Sequence, residues 1–273
     1  MKLNTLVANI PTRWNRVALC MLLGWALLSP HGGNAMSNIS KVFKGGPVIE
    51  LALAAEAGDL DRVRQLIQLG ADVKEVGEQG MTVTHYALRA RKNAPQVLDA
   101  VLRAGADPIS RLSSGDTVPR YAVIRDHADP LVVQVLLDHG LSPNWRDSNG
   151  AYANKSLLMA AVDGRNLPVM RLLVQRGADL NYVHPVSGSA LHRALDGTDF
   201  FMATFLVESG IDLSLKNNTS PLIKNPRQST AIERFCRLEG GKRGANPLPE
   251  IAAGWQAFTT ALAARGVRMP CGL

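Results

Sequence analysis

Aromatic residues are scarce in this chain, 5% of its 273 positions, and cysteine occurs only three times. So few rings exclude an aromatic-lined β-sandwich and a base-stacking platform for nucleic acid, and leave a core built from Ala, Leu and Val. That composition favours helices. Several catalytic signatures are also missing: there is no Gly-rich phosphate loop followed by Lys-Ser/Thr, no Gly-x-Ser-x-Gly elbow, no His-Glu-x-x-His and no Cys-x-x-Cys. Hydrophobic residues make up 46% and charged ones 19%, enough apolar material for a sizeable core and too much for a disordered polymer.

The first 35 residues carry Lys2, Arg13 and Arg16, then an unbroken apolar run from Val17 to Leu28, then Ser29-Pro30 and small residues up to Ala35. This order of basic, apolar and small-residue segments predicts a signal peptide cleaved after Ala35. The alternatives are a retained anchor or a start site placed too early. The apolar run reaches about 18 Å as a helix against about 30 Å of hydrocarbon, which favours cleavage and argues against stable membrane insertion. Cys20 follows Val17-Ala18-Leu19 and precedes most of the apolar run, which excludes a lipid-anchored cysteine. Residues 36–46 read as a linker.

The formal charge of +7 is local. The signal removes three cations and no acids; residues 36–223 hold 19 Lys and Arg against 20 Asp and Glu, and residues 224–273 hold 8 against 3. A basic cluster of Lys224, Arg227, Arg234, Arg237, Lys242 and Arg243 therefore marks one end of the chain, without the interleaved aromatics of a nucleic-acid site. It reads as a solvated face or a contact for an acidic partner or anionic lipid head groups. With Cys20 gone, Cys236 and Cys271 remain as a pair. In an oxidising periplasm they close a disulfide worth about 3–4 kcal/mol in the chain-entropy model, and two free thiols are the alternative.

One phrase recurs: Gly70-Ala71-Asp72-Val73, Gly105-Ala106-Asp107-Pro108, Gly140-Leu141-Ser142-Pro143, Gly177-Ala178-Asp179-Leu180 and Gly210-Ile211-Asp212-Leu213, with glycines 35, 35, 37 and 33 residues apart. An apolar pair such as Leu136-Leu137 or Leu172-Leu173 precedes each glycine, and a phrase of small and apolar residues such as Leu157-Leu158-Met159-Ala160-Ala161 lies about 20 residues upstream. Each unit thus reads as a short helix, a tight turn, a second helix ended by glycine, and a hairpin-like loop.

These residues resemble the ankyrin repeat, whose pattern runs Thr-Pro-Leu-His, Leu-Ala-Ala, Leu-Leu and Gly-Ala-Asp-Val-Asn. The resemblance covers residues 47–215 in five units and is clearest from Gly150 to Asn181. The first box is degraded to Thr82-Val83-Thr84-His85, Thr117-Val118-Pro119-Arg120 and Ser189-Ala190-Leu191-His192. The resemblance implies an all-α solenoid of five to six helix-turn-helix units, in which His85 and His192 hydrogen-bond between repeats. Residues 216–273 read as a diverged sixth unit with an insertion, started by Ser220-Pro221-Leu222-Ile223 and closed by a helix carrying Ile251, Trp255, Phe258 and Leu262 on one face.

The resemblance also implies protein binding through hairpin tips and the concave face of the first helices. The tip positions place Trp145 and Tyr182 in one column beside Arg146, Asp147 and His184, either as exposed hot-spot residues or stacked between hairpins. The concave positions place Arg89 and Arg125 towards one end and Asp163 and Asp196 towards the other, a charge gradient able to orient a partner. His127 and His139 read as solvated. No cofactor, metal or catalytic residue is expected; an enzyme site in the 224–249 insertion is a minor alternative. The expected protein is a periplasmic, non-catalytic binding module, monomeric when free. An immunity protein that neutralises a secreted toxin is the specific expectation; an accessory or scaffold protein for a periplasmic enzyme is the alternative.

Overall fold

Gly70, Gly105, Gly140, Gly177 and Gly210 take φ between +86° and +97°. A residue with a Cβ occupies this left-handed backbone at a cost of roughly 1–2 kcal/mol, so glycine ends each second helix as its position in the phrase predicts. The computed structural model describes residues 39, 41–124, 129–148, 153–217, 228–239 and 249–269. Among them twelve helices fall into six pairs: α1 (Pro47–Ala57) with α2 (Leu60–Gln68), α3 (Val83–Leu88) with α4 (Ala94–Arg103), α5 (Val118–Ile124) with α6 (Pro130–Asp138), α7 (Leu157–Asp163) with α8 (Leu167–Gln175), α9 (Ala190–Asp196) with α10 (Phe200–Glu208), and α11 (Ala231–Glu239) with α12 (Pro249–Ala264). The odd-numbered helices pack in sequence order as one layer; α2, α4, α6 and α8 follow one another in a second layer, and α12 lies on α10.

Small residues let the layers meet. Ala52 and Ala55 on α1, Ala87 on α3, Ala122 on α5, Ala160 and Ala161 on α7 and Ala194 on α9 are buried, while Leu66, Leu102, Leu136, Leu173 and Leu206 fill the core from the second helices. Caps set the entry of each helix. Asp59, Asn166 and Asp199 accept from the backbone N–H of Arg62, Val169 and Met202 at 3.0–3.1 Å, and the Ser156 hydroxyl accepts from that of Met159 at 3.2 Å.

The degraded first boxes still cap where histidine survives. His85 Nδ1 faces the Thr82 hydroxyl at 2.9 Å and accepts from the Thr82 N–H, and His192 Nδ1 does the same with Ser189. With Nδ1 accepting, Nε2 carries the proton. That of His192 donates to the Ser229 carbonyl of the next unit at 3.1 Å, the inter-repeat bond the resemblance implies. Among the described residues His85 makes no such bond, and its Nε2 is buried without a partner.

The two ends of the array differ from its middle. Within the expected linker of residues 36–46, Ile39 and Phe43 are each only 3% exposed, and the Phe43 ring lies 5.9 Å from that of Tyr86. The first unit has no preceding repeat to cover its apolar side, so the chain before α1 covers it. At the other end, the first helix of the sixth unit starts at Ala231. Thr230 is its N-cap, exchanging bonds with Glu233 in a capping box. Ser220–Ile223, expected to open that unit, lies outside the described residues. Phe200, Phe235, Trp255 and Phe258 form its aromatic core, with Phe200 5.2–6.0 Å from the other three rings.

Candidate functional site

The hairpin between α6 and α7 is held from both sides. Asn144 accepts from the Asp179 N–H at 2.6 Å and donates to the Gly177 carbonyl at 3.2 Å, and Asn181 accepts from the Asp212 N–H at 2.8 Å. These asparagines tie the third, fourth and fifth hairpins into a ladder. Lys74 and Ile109 occupy the corresponding places of the first two phrases and have no amide to offer. On the other flank Asp147, 2% exposed, meets the Arg111 guanidinium through both its oxygens, one contact at 2.9 Å. This paired hydrogen bonding raises the Arg111 pKa further. Replacing Arg111 by Ala leaves a buried carboxylate without its main cation. The expected loss is about 2 kcal/mol, moderated because Arg111 itself is one-third exposed, and urea unfolding checks it.

Between the third and fourth hairpins lies a surface pocket of about 240 Å³ lined by Asn144, Arg146, Ser156, Leu158, Asp179 and Tyr182, among others. The Arg146 guanidinium carbon sits 4.6 Å over the Tyr182 ring centre, and the Tyr182 hydroxyl donates to the Asn154 carbonyl at 2.6 Å. The Tyr182 ring is thus fixed at both its face and its tip.

The structure distributes the residues expected from the sequence as follows. Arg146 and Tyr182 come together. Trp145 does not join them: it is half-buried, packs on the core, and makes no ring contact with Tyr182. His184 is a correction, because it is 9% exposed and faces inward. Its Nδ1 accepts from the Val186 and Ser187 N–H groups and its Nε2 donates to the Ala153 carbonyl at 3.0 Å, so it shapes the tip between β1 (Val183–His184) and β2 (Gly188–Ser189). Arg125 and His127 lie outside the described residues. His139, expected to be solvated, meets Asp99 at 2.9 Å.

The charge gradient is also corrected. Arg89 meets Glu56 at 3.3 Å, Asp163 meets Lys155 at 2.7 Å and Arg193 Nε at 2.9 Å, and Asp196 meets Arg234 Nε at 2.9 Å. An acid at the end of one first helix pairs each time with an arginine on the next, so these charges staple neighbouring units. Burial alone would raise the Asp163 pKa, but hydrogen bonds and charge from Lys155 and Arg193 hold it below the usual carboxylate value. The signal for these pairs was present: Glu56 to Arg89 and Asp163 to Arg193 recur at about one repeat length. In the basic cluster Arg234 is engaged in this way and Arg237 is exposed; the others lie outside the described residues. Among the described residues no three His, Cys, Asp or Glu side chains gather around a metal position, and no helix is long and apolar enough to cross a membrane.

Stacked helix pairs with laddered hairpins define a solenoid repeat protein of the binding class. Residues 120–217 match the family model for ankyrin repeats in three copies. Among the 447 solved chains that match is the ankyrin repeat domain of Bcl-3, described as a unique member of the IkappaB protein family, with a TM-score of 0.60 and 22% identity over 80% of this chain and 86% of that one. No curated protein matches. Residues 120–217 are ankyrin repeats, the wider array shares the ankyrin-repeat fold, and ankyrin repeats are protein–protein interaction modules.

Proposed function

We propose that this protein is a periplasmic binding module that captures one protein partner through the surface between its third and fourth hairpins, and that the partner is a secreted effector toxin which it neutralises. The observation that carries the binding surface is the fixed Arg146–Tyr182 pair beside an open pocket, set on hairpins laddered by Asn144 and Asn181. Arg and Tyr are typical hot-spot residues, and a rigid support lowers the ordering cost of binding. Export is supported by the basic, apolar and small-residue order of residues 1–35. A disulfide between Cys236 and Cys271 fits that compartment and is supported by the disulfide-bonded state of Cys236; Cys271 lies outside the described residues. The family's general non-catalytic character supports a role by occlusion.

The test is co-expression with toxins encoded beside its gene. Rescue is expected for the wild type, with an N-terminus at Met36 by mass spectrometry of the periplasmic fraction. Replacing both Arg146 and Tyr182 by Ala should weaken toxin binding by at least about a hundredfold, a loss of roughly 3 kcal/mol, while circular dichroism shows the helical array retained. Binding unaffected by the double substitution overturns the surface; absence of rescue overturns the toxin.

A further inference from the structure

The segment that covers the first unit does more than hide apolar surface. Val42 rides on the first hairpin so closely that a Cβ added to Gly77 would lie 2.6 Å from its Cγ1 and 2.7 Å from its carbonyl oxygen. Ile39 and Val42 line, together with residues at the ends of α1 and α3, an open pocket of about 340 Å³. Its lining combines the apolar Ile39, Val42 and Met81 with the charged Glu56, Arg89 and Arg91. Such a volume falls at the lower end of sites that take one or two side chains or a small molecule.

The charges in this pocket do not cancel. Arg89 is engaged with Glu56 at 3.3 Å. Arg91 lies exposed on the turn after α3, and among the described residues its guanidinium has no ion pair; only its backbone is tied, donating to the Glu56 carbonyl at 3.0 Å. Lys41 and Lys44, exposed on the covering segment, and Lys92, exposed beside Arg91, add cations on the same stretches of chain. An unengaged guanidinium next to a rigid apolar wall suits a carboxylate whose neighbour is aliphatic, since the planar fork binds both carboxylate oxygens at once.

We infer that this pocket is a second docking point on the same array, seating an extended acidic segment of the partner protein with one carboxylate on Arg91 and an aliphatic side chain against Ile39, Val42 and Met81. The inference rests on the protein-binding reading above and deepens it: the hairpin surface and this pocket lie in different repeats, so a partner spanning both would gain from linked contacts.

The test uses the purified protein and a fluorescein-labelled peptide, acetyl-Ala-Leu-Glu-Leu-Glu-Ala-amide, with the Glu→Gln peptide and acetate as controls, read by anisotropy. The Glu peptide is expected to bind, more weakly at high salt, and the Gln peptide and acetate are not. Arg91→Gln should weaken binding by about threefold to tenfold and Arg91→Glu by more than tenfold, because a like charge then faces the carboxylate. Thermal unfolding of both variants should match the wild type, since the Arg91 side chain is exposed. Equal binding of the Gln peptide, equal binding by Arg91→Glu, or no binding of the Glu peptide overturns the pocket. The hairpin surface is read separately: the Arg146 and Tyr182 variants should bind this peptide like the wild type while losing the toxin, so failure of either surface leaves the other measurable.

Discussion

Replacing Phe200 by Ala is expected to remove about 3–5 kcal/mol and to release the C-terminal cap ahead of the rest of the array. Phe200 is 2% exposed and touches the rings of Phe235, Trp255 and Phe258, which come from α11 and α12 and bring little else of comparable size to the interface. Truncating it opens a cavity at the junction between the fifth and sixth units and removes three ring contacts at once. Stability in a repeat array is a sum of unit and nearest-neighbour terms, so the loss falls first on the terminal unit. Hydrogen exchange should show α11 and α12 opening at lower free energy than α5–α8 in the variant. Uniform loss of protection along the chain would mean that the cap and the body fold as one block.

Stability is expected to fall as pH drops from about 6.5 towards 4. His85 is buried, and desolvation lowers its pKa from 6.5 to about 4, opposed only in part by the charge of Asp107. His192 is lowered for the same first reason; the Ser229 carbonyl and Asp196 favour the charged form, while Arg234 opposes it. In the unfolded chain each imidazole takes a proton near pH 6.5, whereas in the folded chain it does not until the solution is more acidic. The unfolded state therefore binds more protons in that window and gains free energy as pH falls. For His85 the gap of about 2.5 units corresponds to roughly 3 kcal/mol by the time both states are protonated. Asp99 and Asp163 act in the same direction lower down, because their depressed folded pKa values make them lose stability on protonation. Denaturant midpoints from pH 7 to 4 check this; His85→Gln should flatten the profile, and an unchanged slope would place the acid sensitivity elsewhere.

The two effects concern different parts of the molecule. Among the described residues the cap gathers four rings of this aromatic-poor chain, whereas His85 and His192 sit where a hydroxyl and an imidazole complete the start of a short helix. Both support binding indirectly, since a laddered hairpin surface keeps its geometry only while the units beneath it remain stacked.

The sequence by itself determined the array. Glycine at a fixed interval needs the left-handed backbone, an apolar pair before it needs a buried helix face, and alanines upstream need close helix packing; such requirements are local and visible in any single repeat. Histidine at the fourth place of a degraded box implied, through the resemblance, a bond between repeats, which His192 makes to Ser229. What only the tertiary structure decided was which charged and aromatic side chains remain available. Asp163, Asp196 and Arg89 looked like a binding gradient because each was read within its own unit, yet each meets an opposite charge about one repeat away on a neighbouring unit. His184 looked exposed by its place at a tip and is turned inward by two backbone N–H groups two and three residues further on. Trp145 and Arg146 are adjacent in sequence, and packing alone sends the first to the core and the second over Tyr182. Residues 36–46 looked like a linker, yet Ile39 and Phe43 within them are buried at the open end of the first unit. In each case a side chain's availability depends on the neighbouring unit, and stacking sets that neighbour's distance.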